Sequence, residues 1–131
     1  HPHVSIVVTK DLRQQSKGIF DGRPRAEANE DVRVQGKPYH EWQPAGGERL
    51  LDVWHRAVRL VDRIVRDHAG HNVLIISHAM PIACALAYLD GKTVAHCDEY
   101  DPTHNTALSI VDVRPRERPV IVVLNSLEHL Q

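Results

Sequence analysis

The stretch Val73-Leu74-Ile75-Ile76-Ser77-His78-Ala79-Met80-Pro81 decides the fold. Its four consecutive aliphatic side chains predict a strand that is buried on both faces. Proline is favoured in the first turn of a helix, so we expect a helix from about Pro81 to Leu89. An apolar strand that leads directly into a helix is typical of an α/β sheet.

The sequence on either side of this stretch supports the same fold class. Apolar side chains recur at three- and four-residue steps over residues 50–65, which predicts an amphipathic helix. Residues 107–113 and 119–124 are predicted to be strands, and Val4-Ser5-Ile6-Val7-Val8 is predicted to be a short strand near the beginning. We therefore expect one α/β domain over residues 1–131, with a mostly parallel sheet and helices on both faces.

Residues 27–47 interrupt this pattern. They are polar, contain two prolines and three glycines, and show no sustained apolar period. The segment is therefore predicted to be a long loop, which is uncommon in a compact domain unless it has a function. Two interpretations stay open, a lid over a binding site and a floppy insertion.

Composition excludes several classes of function. The formal net charge is -1, which argues against binding nucleic acid or a membrane surface through bulk charge. No apolar run approaches the length of a membrane span. Cys84 and Cys97 are too few for a disulfide scaffold, which favours a reducing compartment such as the cytoplasm.

His78 is the first candidate for a functional residue. It follows a predicted strand and precedes a predicted helix, and ligands of open α/β sheets collect at the carboxyl ends of strands. Free backbone N–H groups at a helix N-terminus favour an anion, so His78 and the amide of Ala79 are candidates for binding a phosphoryl group. The alternative is a histidine that only caps the helix or packs against it.

The sequence also resembles the histidine phosphatase superfamily, whose members have a phosphoglycerate-mutase-like fold. The resemblance is carried, in order, by Leu12–Gly22, Gly46–Arg56, Val73–His78, Asn105–Ile110 and Leu124–Leu130. It covers nearly the whole chain.

The resemblance implies a two-step phosphoryl transfer. A nucleophilic histidine in an R-H-G motif takes the phosphoryl group, and a glutamate protonates the leaving oxygen before it helps water to attack. His78 matches the second histidine of the family, which stabilises charge and binds phosphate. Gln14 stands where the acid/base glutamate is expected. Arg13, Arg23 and Arg25 are candidates for holding the anionic substrate, although solvated surface arginines are the commoner outcome.

The chain departs from the family pattern in two ways. It contains no R-H-G triplet, and the amide of Gln14 cannot donate and recover a proton near neutral pH. We therefore expect a second polypeptide to supply the missing segment, two copies to exchange elements, or the chain to be part of a longer protein. The function is either that of a phosphomonoester hydrolase or phosphoryl transferase, or that of a non-catalytic relative that binds a phosphorylated ligand or a protein.

No cofactor or metal is predicted. One dense polar stretch matches no metal-ligand spacing and is interpreted as a solvated loop; it contains His96, Asp98, Glu99, Asp101 and His104. The expected partner is a small phosphorylated substrate, with a homo-oligomer or a complementing N-terminal segment as further expectations.

Overall fold

The computed structural model describes residues 5–102 and 104–131. Its α-helices are α1 (Arg25–Gln35), α2 (Leu50–Asp67) and α3 (Ala79–Leu89), and its strands are β1 (Leu108–Asp112) and β2 (Val120–Ser126). Short 3-10 helices cover Gly18–Phe20, Tyr39–Glu41, Val94–Tyr100 and Glu128–Leu130. The helix predicted from periodicity is confirmed as α2, the helix predicted from Pro81 is confirmed as α3, and the two C-terminal strands are confirmed as β1 and β2.

Helices α2 and α3 form the core with the 3-10 helix Val94–Tyr100. The apolar stripe of α2 is buried through Leu50, Val53, Ala57 and Leu60. Asp52 caps the beginning of this helix, since its carboxylate accepts hydrogen bonds from the backbone amide of Arg49, at 3.0 Å, and from the Arg49 side chain, at 2.8 Å. Burial of this stripe is the main source of stability, because most helical stability in proteins comes from tertiary packing.

The two cysteines lie in this core and remain free thiols. Cys97 lies in the 3-10 helix and its thiol donates to Cys84 Sγ on α3, at 3.6 Å. That hydrogen bond, together with burial, raises the pKa of the Cys84 thiol. The pair therefore behaves as two small apolar core residues.

Residues 27–47 were predicted to be a loop without regular structure, and this is wrong for the first part, which belongs to α1. The helix buries only Ala28 and so has no apolar period to detect. Local features stabilise it instead. Glu27 lies in the first turn, Arg33 forms an ion pair with Glu30, and Gly36 ends the helix in a left-handed conformation.

The sheet also differs from the prediction. Strands β1 and β2 form a two-stranded antiparallel sheet, with Val111 opposite Ile121. Residues 5–8 and 73–76 lie in no strand, and the structure gives no parallel pairing among the residues that it describes; Val4 lies outside them. Their side chains are exposed, to 92% for Val8 and 86% for Ile76. An apolar run becomes a strand only when a neighbour satisfies its backbone groups, and the described residues supply none.

The helices of residues 5–102 and 104–131 all lack the length and apolar content needed to cross a membrane.

Candidate active site

The candidate site is built on two segments whose backbones touch. Residues 16–18 run against residues 44–48, because the Ile19 amide donates to the Ala45 carbonyl and the Glu48 amide donates to the Ser16 carbonyl. A Cβ on Gly18 would lie 2.1 Å from the Ala45 carbonyl oxygen, and one on Gly47 would lie 2.7 Å from the Gly18 nitrogen. The two glycines are therefore required by this close approach, and Gly18 also has a φ of 58°.

A buried ion pair between Arg56 and Glu48 holds these two segments together. The Arg56 guanidinium on α2 is 5% exposed and contacts both carboxylate oxygens of Glu48, at 3.3 and 3.2 Å. It also donates to the carbonyl oxygens of Asp11, at 2.6 Å, and of Gln14, at 3.3 Å. Arg56 thus determines where the backbone of Gln14 lies.

A cavity of about 750 Å³ opens beside this segment. Its walls come from residues 14–24, from α1 and the 3-10 helix after it, and from the beginning of α3 and the Val94–Tyr100 helix. Its charged and polar lining side chains are Gln14, Gln15, Lys17, Asp21, Arg23, Arg25, Asn29, Tyr39, His40, Asp98 and Asp101.

His78 is the N-cap of α3, in extended conformation, and its ring is exposed. The neighbouring Ala79 and Met80 line the cavity. Their amides have no acceptor in the part of the chain that the structure describes, whereas Pro81 has no N–H and the Ile82 amide already donates to the His78 carbonyl. Just before them, the Ser77 hydroxyl donates to the Leu12 carbonyl and so connects the end of residues 73–77 to the segment that carries Gln14.

The three candidate arginines lie in different environments. Arg13 does not line the cavity; it donates to Glu48 Oε1 at 2.6 Å. Arg23 lines the cavity and forms a loose, exposed ion pair with Glu27, at 3.4 Å. Arg25 lines the cavity and forms no ion pair with any residue in the described part of the chain.

Three side chains of the cavity influence one another electrostatically. Burial raises the pKa of Asp101, and the positive charge of Arg25 opposes this rise. Burial also raises the pKa of Tyr39, with Arg25 again acting against it and Asp101 adding to it. The Tyr39 hydroxyl donates to Gln15 Oε1 at 3.1 Å, which attaches the 3-10 helix Tyr39–Glu41 to the floor of the cavity.

Asp21 stabilises the loop of residues 16–21, part of which lines the cavity. Its carboxylate accepts hydrogen bonds from the Lys17 amide and the Ser16 hydroxyl, both at 2.9 Å, and these bonds lower the pKa of Asp21.

Several residues that shape the site were not predicted from the sequence. Gln15 and Arg56 are buried polar side chains that touch residues far away along the chain, so no local pattern reveals them. Glu48 was visible within the Gly46–Arg56 segment, but only as a charge near the beginning of a helix. No group of three His, Cys, Asp or Glu side chains within residues 5–102 and 104–131 is placed to hold a metal ion.

A second cleft, of about 620 Å³, lies apart from Gln14 and is mainly apolar. It is lined by residues 73–75, by Leu108 and Val111 of β1, and by side chains of α2 and α3 such as Ile64 and Ile82. Residues 73–75, which pair with no strand among the described residues, and β1 therefore border the same apolar cleft.

Comparisons with known proteins agree with the fold. The Mycobacterium tuberculosis protein Rv0525 is 33% identical over 85 residues, which are 63% of this chain and 42% of that protein. Bacillus stearothermophilus YhfR superposes with a TM-score of 0.77 and 24% identity, over 94% of this chain and 62% of its own. The alpha-ribazole phosphatase from Shigella flexneri superposes with a TM-score of 0.80 and 19% identity, over 95% of this chain and 63% of its own.

The chain thus spans less than two thirds of the length of each of these relatives. The structural likenesses establish a shared α/β fold. A family model matches residues 1–126, nearly the whole sequence. With that match, the chain belongs to the histidine phosphatase superfamily, branch 1.

Proposed function

We propose that the larger cavity receives the phosphoryl group of a small phosphomonoester, and that the chain is part of a phosphatase or phosphoryl transferase. One observation carries this proposal: the amide-bearing first turn of α3, Gln14 and two arginines all border a single cavity. Free amides and guanidinium groups bind phosphoryl oxygens and stabilise their charge without reorganising.

In this proposal the nucleophilic histidine comes from outside residues 1–131. Its imidazole attacks phosphorus while the ester P–O bond breaks. Water then attacks the same phosphorus, the P–N bond of the phosphohistidine breaks, and phosphate and the free imidazole are released. His78, next to Ala79, stabilises charge on the phosphoryl oxygens. An acid at position 14 gives a proton to the leaving oxygen and then takes one from the attacking water. The Gln14 amide can hold a hydrogen bond there but cannot perform either transfer.

The apolar cleft is the place where we expect the segment that carries the nucleophilic histidine to bind. Residues 73–76 are exposed and unpaired, and β1 is paired on one edge alone among the residues that the structure describes. An apolar strand in this cleft would satisfy both sets of backbone groups. Unpaired edges of this kind otherwise invite association. The donor is a further part of the same polypeptide, a second polypeptide, or a second copy of the chain.

A second candidate function is binding without catalysis. The observation that favours it is Gln14, which has the shape of the expected glutamate without its proton chemistry. A protein of this kind would retain a phosphorylated ligand, or a protein partner, in the same cavity.

The test is p-nitrophenyl phosphate hydrolysis by the complete polypeptide encoded by the reading frame that contains residues 1–131. We expect Gln14→Glu to raise the rate by about 10²-fold or more, the usual contribution of a general acid. We expect His78→Ala to abolish that gain, whereas His129→Ala, an exposed histidine in the Glu128–Leu130 helix, serves as the control. If Gln14→Glu stays inert while inorganic phosphate binds, the binding function is the correct one.

A further inference from the structure

The cavity is lined by side chains of both charge signs, and these side chains form no ion pairs with one another. Lys17, Arg23 and Arg25 are cationic, and Asp98 and Asp101 are anionic, all lining the same space. Arg25 and Asp101 are close enough to affect one another, yet they form no ion pair or hydrogen bond with each other. Both groups are therefore available to a ligand.

Asp101 has an unusual environment. Its Oδ1 atom is inaccessible to solvent and has no hydrogen-bond partner among the residues that the structure describes. A buried carboxylate oxygen without a donor is costly, and buried polar atoms without partners are rare in folded proteins. Asp101 also lines the cavity, and because a carboxylate shares its charge between both oxygens, a ligand donor that reaches Oδ2 would offset part of this cost.

We propose that Arg25 and Asp101 select phosphomonoesters that carry a hydroxyl group close to the phosphate. Arg25 contacts the phosphoryl oxygens, and Asp101 accepts a hydrogen bond from the hydroxyl of the alcohol part. A neutral hydroxyl suits this position because Arg25 already provides the positive charge that faces Asp101. This inference rests on the proposed function, since it requires the cavity to bind a phosphoryl group.

The experiment uses the complete polypeptide and isothermal titration calorimetry with a matched pair of ligands. Glycerol 1-phosphate and n-propyl phosphate have the same carbon chain and differ only in two hydroxyl groups. We expect glycerol 1-phosphate to bind about tenfold more tightly, since a hydrogen bond to a charged group contributes about 1.5 kcal/mol or more. Inorganic phosphate and phosphoethanolamine complete the series.

Four variants then assign the preference to residues. Asp101→Ala is expected to reduce the ratio between the two ligands to about one while leaving n-propyl phosphate affinity within about twofold. Asp101→Asn keeps the shape and an oxygen acceptor, and should give an intermediate ratio. Asp98→Ala removes an exposed carboxylate of the same cavity and should leave the ratio unchanged. Arg25→Gln should weaken all phosphate ligands together.

The outcomes separate the two proposals. If none of the ligands binds, including inorganic phosphate, the proposed function fails. If phosphate binds but the hydroxyl groups bring no advantage, or the advantage survives Asp101→Ala, the inference about Asp101 is overturned. Tighter binding of phosphoethanolamine than of glycerol 1-phosphate would also overturn it, because Asp101 would then recognise an ammonium group.

Discussion

Two regions of this molecule are treated in opposite ways by the fold. Residues 11–18 are polar except for Leu12, yet they are held by a buried guanidinium, a carboxylate and two glycine contacts. Residues 73–76 are entirely aliphatic, yet they are exposed and pair with no strand among the residues that the structure describes. The difference shows that order at a given segment depends on its long-range partners more than on its own hydrophobicity. The polar segment has its partners within the chain, and the aliphatic one has none within residues 5–102 and 104–131.

The largest expected effect tests the network that holds the polar segment. Arg56→Met leaves the Glu48 carboxylate without its buried partner, so the free energy of unfolding should fall by about 3–5 kcal/mol, as measured by urea denaturation. Arg63→Met is the control, because Arg63 is on the same helix and contacts Asp11 at an exposed site. It should cost less than about 1 kcal/mol. Equal losses in the two variants would show that the network is not special.

The next prediction concerns the close backbone contact. Gly18→Ala should lower the free energy of unfolding by about 3 kcal/mol, since the new Cβ meets the Ala45 carbonyl and φ is positive. Gly22→Ala also has a positive φ, but no atom lies within 4 Å of its Cβ position. It should cost about 1 kcal/mol. The difference between the two variants measures the contact itself, and a difference near zero would mean that the segments separate easily.

Substitutions in the aliphatic segment should have almost no effect in the 131-residue chain. Ile76→Lys places a charge where the side chain is already exposed, so the free energy of unfolding should change by less than about 0.5 kcal/mol. Val61→Lys, at a buried position of α2, should unfold the chain. A loss above about 2 kcal/mol for Ile76→Lys would show that another strand or another copy covers this segment.

The smallest effect is a difference in pH dependence between two carboxylates. Burial raises the pKa of Asp101, so its charged form opposes folding, and Asp101→Asn should be slightly more stable than the parent at pH 7. The Arg49 side chain lowers the pKa of Asp52, so Asp52→Asn should be less stable at pH 7. The Asp101 difference should disappear as the pH falls below about 4, where that carboxyl is protonated in the folded and the unfolded chain. The Asp52 difference should begin to shrink near pH 4 and persist to lower pH, because the folded carboxyl stays ionised until the pH falls through its lowered pKa. Thermal unfolding between pH 3 and 7 measures them.

Elements that have a recognisable local sequence pattern could be predicted from the sequence. Helix α2 has a full apolar stripe, and α3 begins next to Pro81, so both were predictable. Helix α1 was not, because caps and ion pairs such as Glu30–Arg33 stabilise it without an apolar period. The strand predicted at residues 73–77 required a partner that residues 5–102 and 104–131 do not supply, and no local pattern contains that information.

The same distinction applies to the site. Gln14, Arg23, Arg25 and Ala79 were named from the sequence and border one cavity. Arg56 and Gln15 could not be named, since their roles come from contacts between distant parts of the chain. Asp101 was interpreted as part of a solvated loop, because its burial depends on the elements that surround the cavity. The roles of His78 and Arg13 in binding stay predictions.

The fluorescence of the two tryptophans can report on the wall of the cavity. Trp42 is fully buried, stacks on Tyr39 and donates its indole N–H to Asp31 on α1 at 2.7 Å. Trp54 lies apart, edge-on to Tyr88 on α3. In a Trp54→Phe variant, all indole fluorescence therefore originates behind α1. A red shift of this emission would indicate that water has reached Trp42 and that α1 has moved away from it.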